Sequence, residues 1–354
     1  MVKNLFSPIR FRDLELKNRI VVSPMCEYSA LDGHPQTWHL VHLGSRAVGG
    51  ASLVFTEASG VEKRGRISPG DAGIYLDSHV ESWRPIAKFV REHGAIPGMQ
   101  LAHAGRKAST TAPWLGGKPL SPKDGAWQTI APSAIPFDQE YPTPRAMTIT
   151  EIDEVVRAFA KGAERALHAG FEVLEIHAAH GYLLHEFLSP LSNQRSDEFG
   201  GSFENRTRIM IRVAAAIREV WPEKFPLFCR ISATDWKEGG WDLPQSVELA
   251  KLLKNDGVDL IDVSSGGLVP RVNIPIGPGY QVPFAAAIRK EAGIATGAVG
   301  MITDPEQAEA IIESGQADLV FLARELLRDP YWPRRAAEQL GDTITPPVQY
   351  QRAW

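Results

Sequence analysis

Cysteine is nearly absent from this chain. Only Cys26 and Cys229 occur in 354 residues, and they form no CxxC pair. An iron–sulfur cluster needs a larger set of thiolates, so that cofactor is excluded. So sparse a set fits a reduced, cytoplasmic setting better than a disulfide framework. Net charge is scarce as well: 38 Lys and Arg against 42 Asp and Glu leave −4. That balance gives no electrostatic footprint for nucleic acid or for an anionic membrane. There is no long uncharged apolar run, and the opening MVKNLFSPIRF has no charged-then-apolar leader. Neither a membrane span nor a signal peptide is therefore expected. No GxGxxG follows the first strand-like run, which argues against a doubly wound dinucleotide fold.

What is present is a rhythm. Short runs rich in Val, Ile, Leu and Phe fall at 19–25, 51–58, 95–102, 171–178, 226–232, 259–265, 294–300 and 318–323. Such runs are what strands covered on both faces require. Helical patterns separate them, near 38–48 and at 77–93, 150–169, 203–221, 244–255, 282–292 and 304–314. Thr150 ahead of Glu151 and Asp153, and Thr303-Asp304-Pro305, read as helix starts. Gly49-Gly50, Gly94, Gly170, Gly257 and Gly315 stand where helices stop. Eight strands alternating with helices predict an α/β fold, a single (β/α)8 barrel over residues 1–354. One interval, 105–147, breaks the rhythm with many prolines and glycines. A loop that long is usually functional or disordered, and its Trp114, Trp127 and Phe137 predict a packed excursion capping the barrel mouth.

The stretch FEVLEIHAAHGYLLHEFL, 171–188, organises the chain. It reads as a buried strand that delivers His177, His180 and Tyr182 within one turn of its C-terminal end. In a barrel of parallel strands that end is where chemistry is done. The other strand ends present Ser23-Pro24-Met25-Cys26, Glu57-Ala58, Gln100, Arg230, Ser265-Gly266-Gly267, Gly300 and Arg324. Each has a bland reading: an inert small thiol, a rim hydrogen bond, half of an ion pair, a turn. Polar groups inside apolar strands are costly unless partnered, however, and these would converge on one cavity. Gly300 and Arg324 after the seventh and eighth strands read as a phosphate site. The alternative for Arg324 is a pair with Glu325 or Asp329. His177 and His180 could share a metal, could be satisfied core histidines, or could donate together to one carbonyl or carboxylate oxygen. Further His or Asp ligands at the other strand ends are missing, which disfavours the metal. In the third reading Tyr182 supplies a proton to a neighbouring carbon.

These motifs, in order, resemble the Old Yellow Enzyme family of FMN-dependent ene-reductases, and within it the "thermophilic-like" subgroup. The resemblance runs from NRIVVSPMCEYSA through QLAHAGRKAS, HAAHGYLLHEFLSPLSNQRSDEFGGSFENR, RISATDW, IGPGYQVP, VGMIT and LARELLRDPYWP to QYQRAW. It implies FMN held non-covalently across the barrel mouth, with NADPH or NADH as electron donor. It implies hydride transfer to the β-carbon of an α,β-unsaturated carbonyl compound. Ser23, Pro24, Met25, Cys26, Ala58, Gln100, His177, Arg230, Gly300 and Arg324 match cofactor positions. Tyr28, His177, His180 and Tyr182 match the substrate pocket, and Cys26 matches a cysteine that modulates the redox potential. Arg352, in the tail 346–354, matches an arginine inserted into a neighbouring subunit's site, which implies a homodimer or homotetramer. The chemistry agrees. A permanent cation such as Arg230 favours the reduced, anionic flavin, and Gln100 can both donate to and accept from a pyrimidine edge. Lys107 also matches a family lysine but reads equally as solvated surface. RSDEFGGSFENR reads as a turn and a helix start capped by Ser202. Glu27 departs from the Gln common in related sequences.

Overall fold

A computed structural model describes residues 4–354. Eight parallel strands close into a barrel: β1 (Ile20–Val22), β2 (Leu53–Gly60), β3 (Ile96–Ala102), β4 (Val173–Ala178), β5 (Leu227–Ser232), β6 (Leu260–Ser264), β7 (Ala295–Val299) and β8 (Leu319–Leu322). Each pairs with the next in sequence, and β8 pairs with β1. All eight predicted strands are present. The first stops at Val22, three residues short of expectation, so Ser23, Pro24 and Met25 belong to the loop above it.

Helices follow the strands on the outside: α1 (Thr37–Val48), α2 (Asp77–Glu92), α3 (Ile149–Ala169), α4 (Leu183–Leu188), α5 (Phe203–Val220), α6 (Leu243–Asn255), α7 (Val282–Ala292), α8 (Pro305–Glu313), α9 (Arg324–Arg328) and α10 (Trp332–Leu340). The cap of α3 is Thr148 rather than Thr150; it makes a reciprocal capping box with Glu151. Asp304 caps α8, with Pro305 at its first position, and Ser202 caps α5, as the sequence predicts. No helix among the described residues is long and apolar enough to cross a membrane.

Alternation along each strand sorts its side chains. On β4, Leu174 and Ile176 face the helices and join the larger apolar cluster, whereas Val173 packs in the smaller cluster inside the barrel. Glu175 and His177 follow Val173 on the same inner face. The inner bottom is filled by Leu53, Phe55, Phe228, Leu260, Leu319 and Phe321. A short hairpin, Ile9–Phe11 with Leu14–Leu16, closes that end and sets Phe11 edge-on to Phe228 at 5.2 Å. An apolar floor with polar residues stacked above it leaves only the upper mouth for chemistry.

Candidate active site

The mouth is built in layers. Gln100 lies within β3 rather than at its end, and its Nε2 donates to Glu175 Oε1 at 2.8 Å. Arg230 lies on β5, its Nε 3.1 Å from Asp262 Oδ2 on β6 and its Nη1 donating to Ser23 Oγ at 3.1 Å. The bland reading of Arg230 as half of an ion pair is thus met, and the residue is only 5% exposed under the mouth. Ala58 sits beside Gln100, after a bulge in β2.

Above this layer stand His177 and His180, ring centroids 5.2 Å apart and nearly perpendicular. Tyr182 caps α4, its ring 5.1 Å edge-on from His177. Burial, with Arg230 nearby, holds both imidazoles well below the usual histidine range, so both are neutral. His177 Nδ1 accepts the Ala179 N–H at 3.3 Å, which leaves the ring proton on Nε2. His180 Nε2 is 2.7 Å from Ser264 Oγ. Burial raises the Tyr182 phenol well above its ordinary value, so it keeps its proton.

The turn that carries these groups is tightly made. His180 and Gly181 both have left-handed backbone, φ 61° and 72°, and a Cβ on Gly181 would lie 2.3 Å from Gly267 O. Sequence reasoning missed what fixes it. The Gly181 N–H donates to His185 Nδ1 at 2.9 Å, and His185 Nε2 donates to Asp235 Oδ1 at 2.9 Å. Asp235 in turn accepts from Ser189 Oγ and the Trp241 N–H. The third histidine of HAAHGYLLH was the available signal. Lys107 is not solvated: its Nζ donates to His180 O at 2.8 Å and Gly267 O at 3.0 Å, and lies over the Tyr182 and Phe137 rings. Burial brings its pKa down to about 8.

The first loop brings Met25, Cys26 and Tyr28 to the rim, all half-buried. Burial, then the carboxylates Asp71 and Glu57, push the Cys26 thiol well up. It stays protonated and is a poor nucleophile. Tyr28 has φ 48° and meets Trp114 of the 105–147 excursion edge-on at 5.7 Å. Trp114 itself is 66% exposed, whereas Trp127 and Phe137 are half-buried. Glu27 accepts from Trp38 Nε1 at 2.8 Å.

A cavity of about 470 Å³ opens between β6, β7 and β8 and is lined by Ser264, Gln281, Gly300 and Arg324. Gly300 has φ 118°, and a Cβ there would sit 2.7 Å from Gln281 Nε2, so only glycine leaves the cradle open. The expected alternative for Arg324 is not realised. Glu325 pairs with Arg328 and Asp329 with Arg335, and Arg324 is left exposed at the cavity without a carboxylate partner among the described residues. Because α9 has only five residues, the guanidinium and the glycine backbone, rather than a long helix dipole, recommend this place to an anion. Arg352 lies away from these contacts. It is exposed on a tail whose Trp354 packs against Tyr331, Tyr350 and Arg334 of the same chain.

An anion cradle beside a buried cation, an amide and two neutral histidines fits a phosphorylated flavin, so fold and site together define a (β/α)8 flavin oxidoreductase. Residues 4–343 match the NADH:flavin oxidoreductase / NADH oxidase family, and the chain belongs to that family, the Old Yellow Enzyme type. The NADPH dehydrogenase of Geobacillus sp. (strain WCH70) is 54% identical over 352 residues, 99% of this chain and 98% of the relative. Among solved structures, morphinone reductase in complex with tetrahydroNAD matches with a TM-score of 0.79 at 26% identity, covering 98% of this chain and 93% of that one. The old yellow enzyme homologue from Zymomonas mobilis matches with a TM-score of 0.79 at 28% identity over 98% and 96%. The chain is an FMN-dependent, NAD(P)H-oxidising enzyme.

Proposed function

We propose that the enzyme reduces the activated C=C bond of α,β-unsaturated carbonyl compounds. The observation that carries this is the pair of neutral, buried imidazoles above the Gln100–Arg230 layer. When bound, FMN supplies the hydride chemistry, accepting from NAD(P)H and giving to the substrate β-carbon. The chain's residues do the rest. His177 donates from Nε2, as its Nδ1 is occupied by a backbone N–H. His180 donates from Nδ1 when Ser264 Oγ donates to its Nε2. Two donors on one carbonyl oxygen draw electron density away from the β-carbon and stabilise the charge that gathers on oxygen. Tyr182, two residues on and protonated, gives the α-carbon its proton. Gln100 and Arg230 would hold the flavin's pyrimidine edge, with Ser23, Pro24, Met25, Cys26 and Ala58 beside them. Gly300 and Arg324 would hold its phosphate. The Cys26 thiol tunes the potential, and Tyr28 lines the substrate pocket under the 105–147 cap. The tail 346–354 docks on a second subunit and brings Arg352 to its mouth, in a homodimer or homotetramer.

The test is the double variant His177→Ala/His180→Ala. It should retain FMN and its reduction by NADPH but lose enone binding, read from flavin absorbance on titration with 2-cyclohexenone. Wild-type enone affinity in that variant would remove the histidines from this role.

A further inference from the structure

Beneath the histidines, inside the closed barrel, lie two carboxyl groups that the reaction does not use. Glu175 on β4 is 0% exposed, and so is Asp262 on β6. Their oxygens are poorly served. Glu175 Oε1 accepts from Gln100 Nε2, but among the described residues Oε2 has no hydrogen-bond partner, and neither Asp262 oxygen has one of good geometry. Among the described residues one cation pairs with them: Arg230, directly across from Asp262 in the β5–β6 register, with Nε 3.1 Å from Oδ2. The groups that reach Glu175 are Asp262, Arg230, the uncharged Gln100 on β3 and the Cys229 thiol on β5; His177 lies one layer above. Two carboxylates beside one guanidinium would leave an uncompensated negative charge in an interior closed below by phenylalanine and leucine. An unpaired buried charge is among the costliest things a fold can hold.

We propose that Glu175 and Asp262 are a positioning pair that shares one proton, carried by Glu175, and that together they aim Gln100 and Arg230 at the flavin and set the charge presented there. The placement of Gln100 and Arg230 under the flavin comes from the reading above. The proton belongs on Glu175 because Asp262 stands against the guanidinium, whereas Glu175 meets only a neutral amide. A protonated Oε2 also gains the donor role that it lacks as a carboxylate. Burial, then the charge of Asp262, holds the Glu175 carboxyl far above the ordinary range; burial raises Asp262 too, but the Arg230 guanidinium opposes that rise. Neutral Glu175 accepts from Gln100 and fixes which way that amide points. Ionised Asp262 offsets Arg230, so the cation under the flavin is partly neutralised by design.

The test compares Glu175→Gln, Asp262→Asn and Glu175→Ala in the FMN-loaded enzyme. Gln is the neutral isostere of a protonated Glu and still accepts from Gln100. Its flavin midpoint potential should stay at the wild-type value. Asp262→Asn frees Arg230 and should shift the potential upward. Glu175→Ala removes the acceptor and should weaken FMN retention, with rescue by Gln. A shift in Glu175→Gln equal to that in Asp262→Asn would mean Glu175 carries charge and would overturn the proposal. Independently, the infrared spectrum of the wild-type holoenzyme minus that of Glu175→Gln should contain a protonated-carboxyl band that moves in D2O, even if Asp262→Asn fails to hold FMN. Its absence sinks the shared proton. A band that is present while neither potential nor FMN retention responds to any variant would keep the proton, but would refute the placement of Gln100 and Arg230 under the flavin.

Discussion

A histidine or tyrosine at a strand end acts through the atom it presents. Tyr182 presents a phenol that burial keeps protonated beside His177. Replacing it with Phe keeps the ring and removes the proton. The oxidative half-reaction with an enone should slow by roughly 100-fold or more, while NADPH reduction of the flavin proceeds at its normal rate in stopped flow. An unchanged oxidative rate would make water the acid. Much of this layer could be read from the chain, because His177, His180 and Tyr182 follow a buried strand within one turn, and Gln100 and Arg230 stand out as polar groups in apolar runs. Their partners could not. Glu175 and Asp262 lie in the same runs, but that Gln100 faces Glu175 and Arg230 faces Asp262 depends on the register of separate strands. The two readings of Lys107 could not be separated for the same reason: its two acceptors, His180 O and Gly267 O, come from loops far away in sequence.

At the scale of elements, the strands and most helices were legible because buried parallel strands need continuous apolar runs and helices need caps and glycine stops. The route of 105–147 was not, because it has no period. It is held by side chains reaching backbone: Arg195 to Pro132 O and Met147 O, and Arg106 to Ile135 O. The α1–α2 side of the barrel carries a pH dependence of its own. His79 on α2 is 0% exposed, donates from Nε2 to Asp32 O at 3.1 Å, and has no partner for Nδ1 among the described residues. Burial, with His34 close by, lowers its pKa from 6.5 to about 4. Between those values the unfolded chain binds a proton that the folded chain refuses. This contribution to stability is therefore complete above pH 6.5 and is lost as pH falls toward 4, by on the order of 3 kcal/mol. His79→Gln keeps a donor for Asp32 O and cannot titrate. Urea unfolding at pH 7 and at pH 4.5 should show a smaller loss in that variant than in the wild type; equal losses would place the titration elsewhere.

The whole molecule is a barrel whose floor is closed by a hairpin and whose 105–147 excursion touches the mouth through Trp114 against Tyr28 and Phe137 against Lys107. Its C-terminal tail leaves Val348 80% exposed and Tyr350 42% exposed. In the proposed assembly these open apolar side chains would be covered by a second subunit. Deleting residues 348–354 should lower the oligomeric state in light scattering and reduce turnover together; a truncated chain unchanged in both would refute the tail's part in the active site.

The most direct test of enone reduction by a bound flavin is the visible spectrum of the purified protein, followed anaerobically. A flavin band should bleach on addition of NADPH and return on addition of 2-cyclohexenone. A band that bleaches and is not restored by the enone would contradict the proposed substrate class.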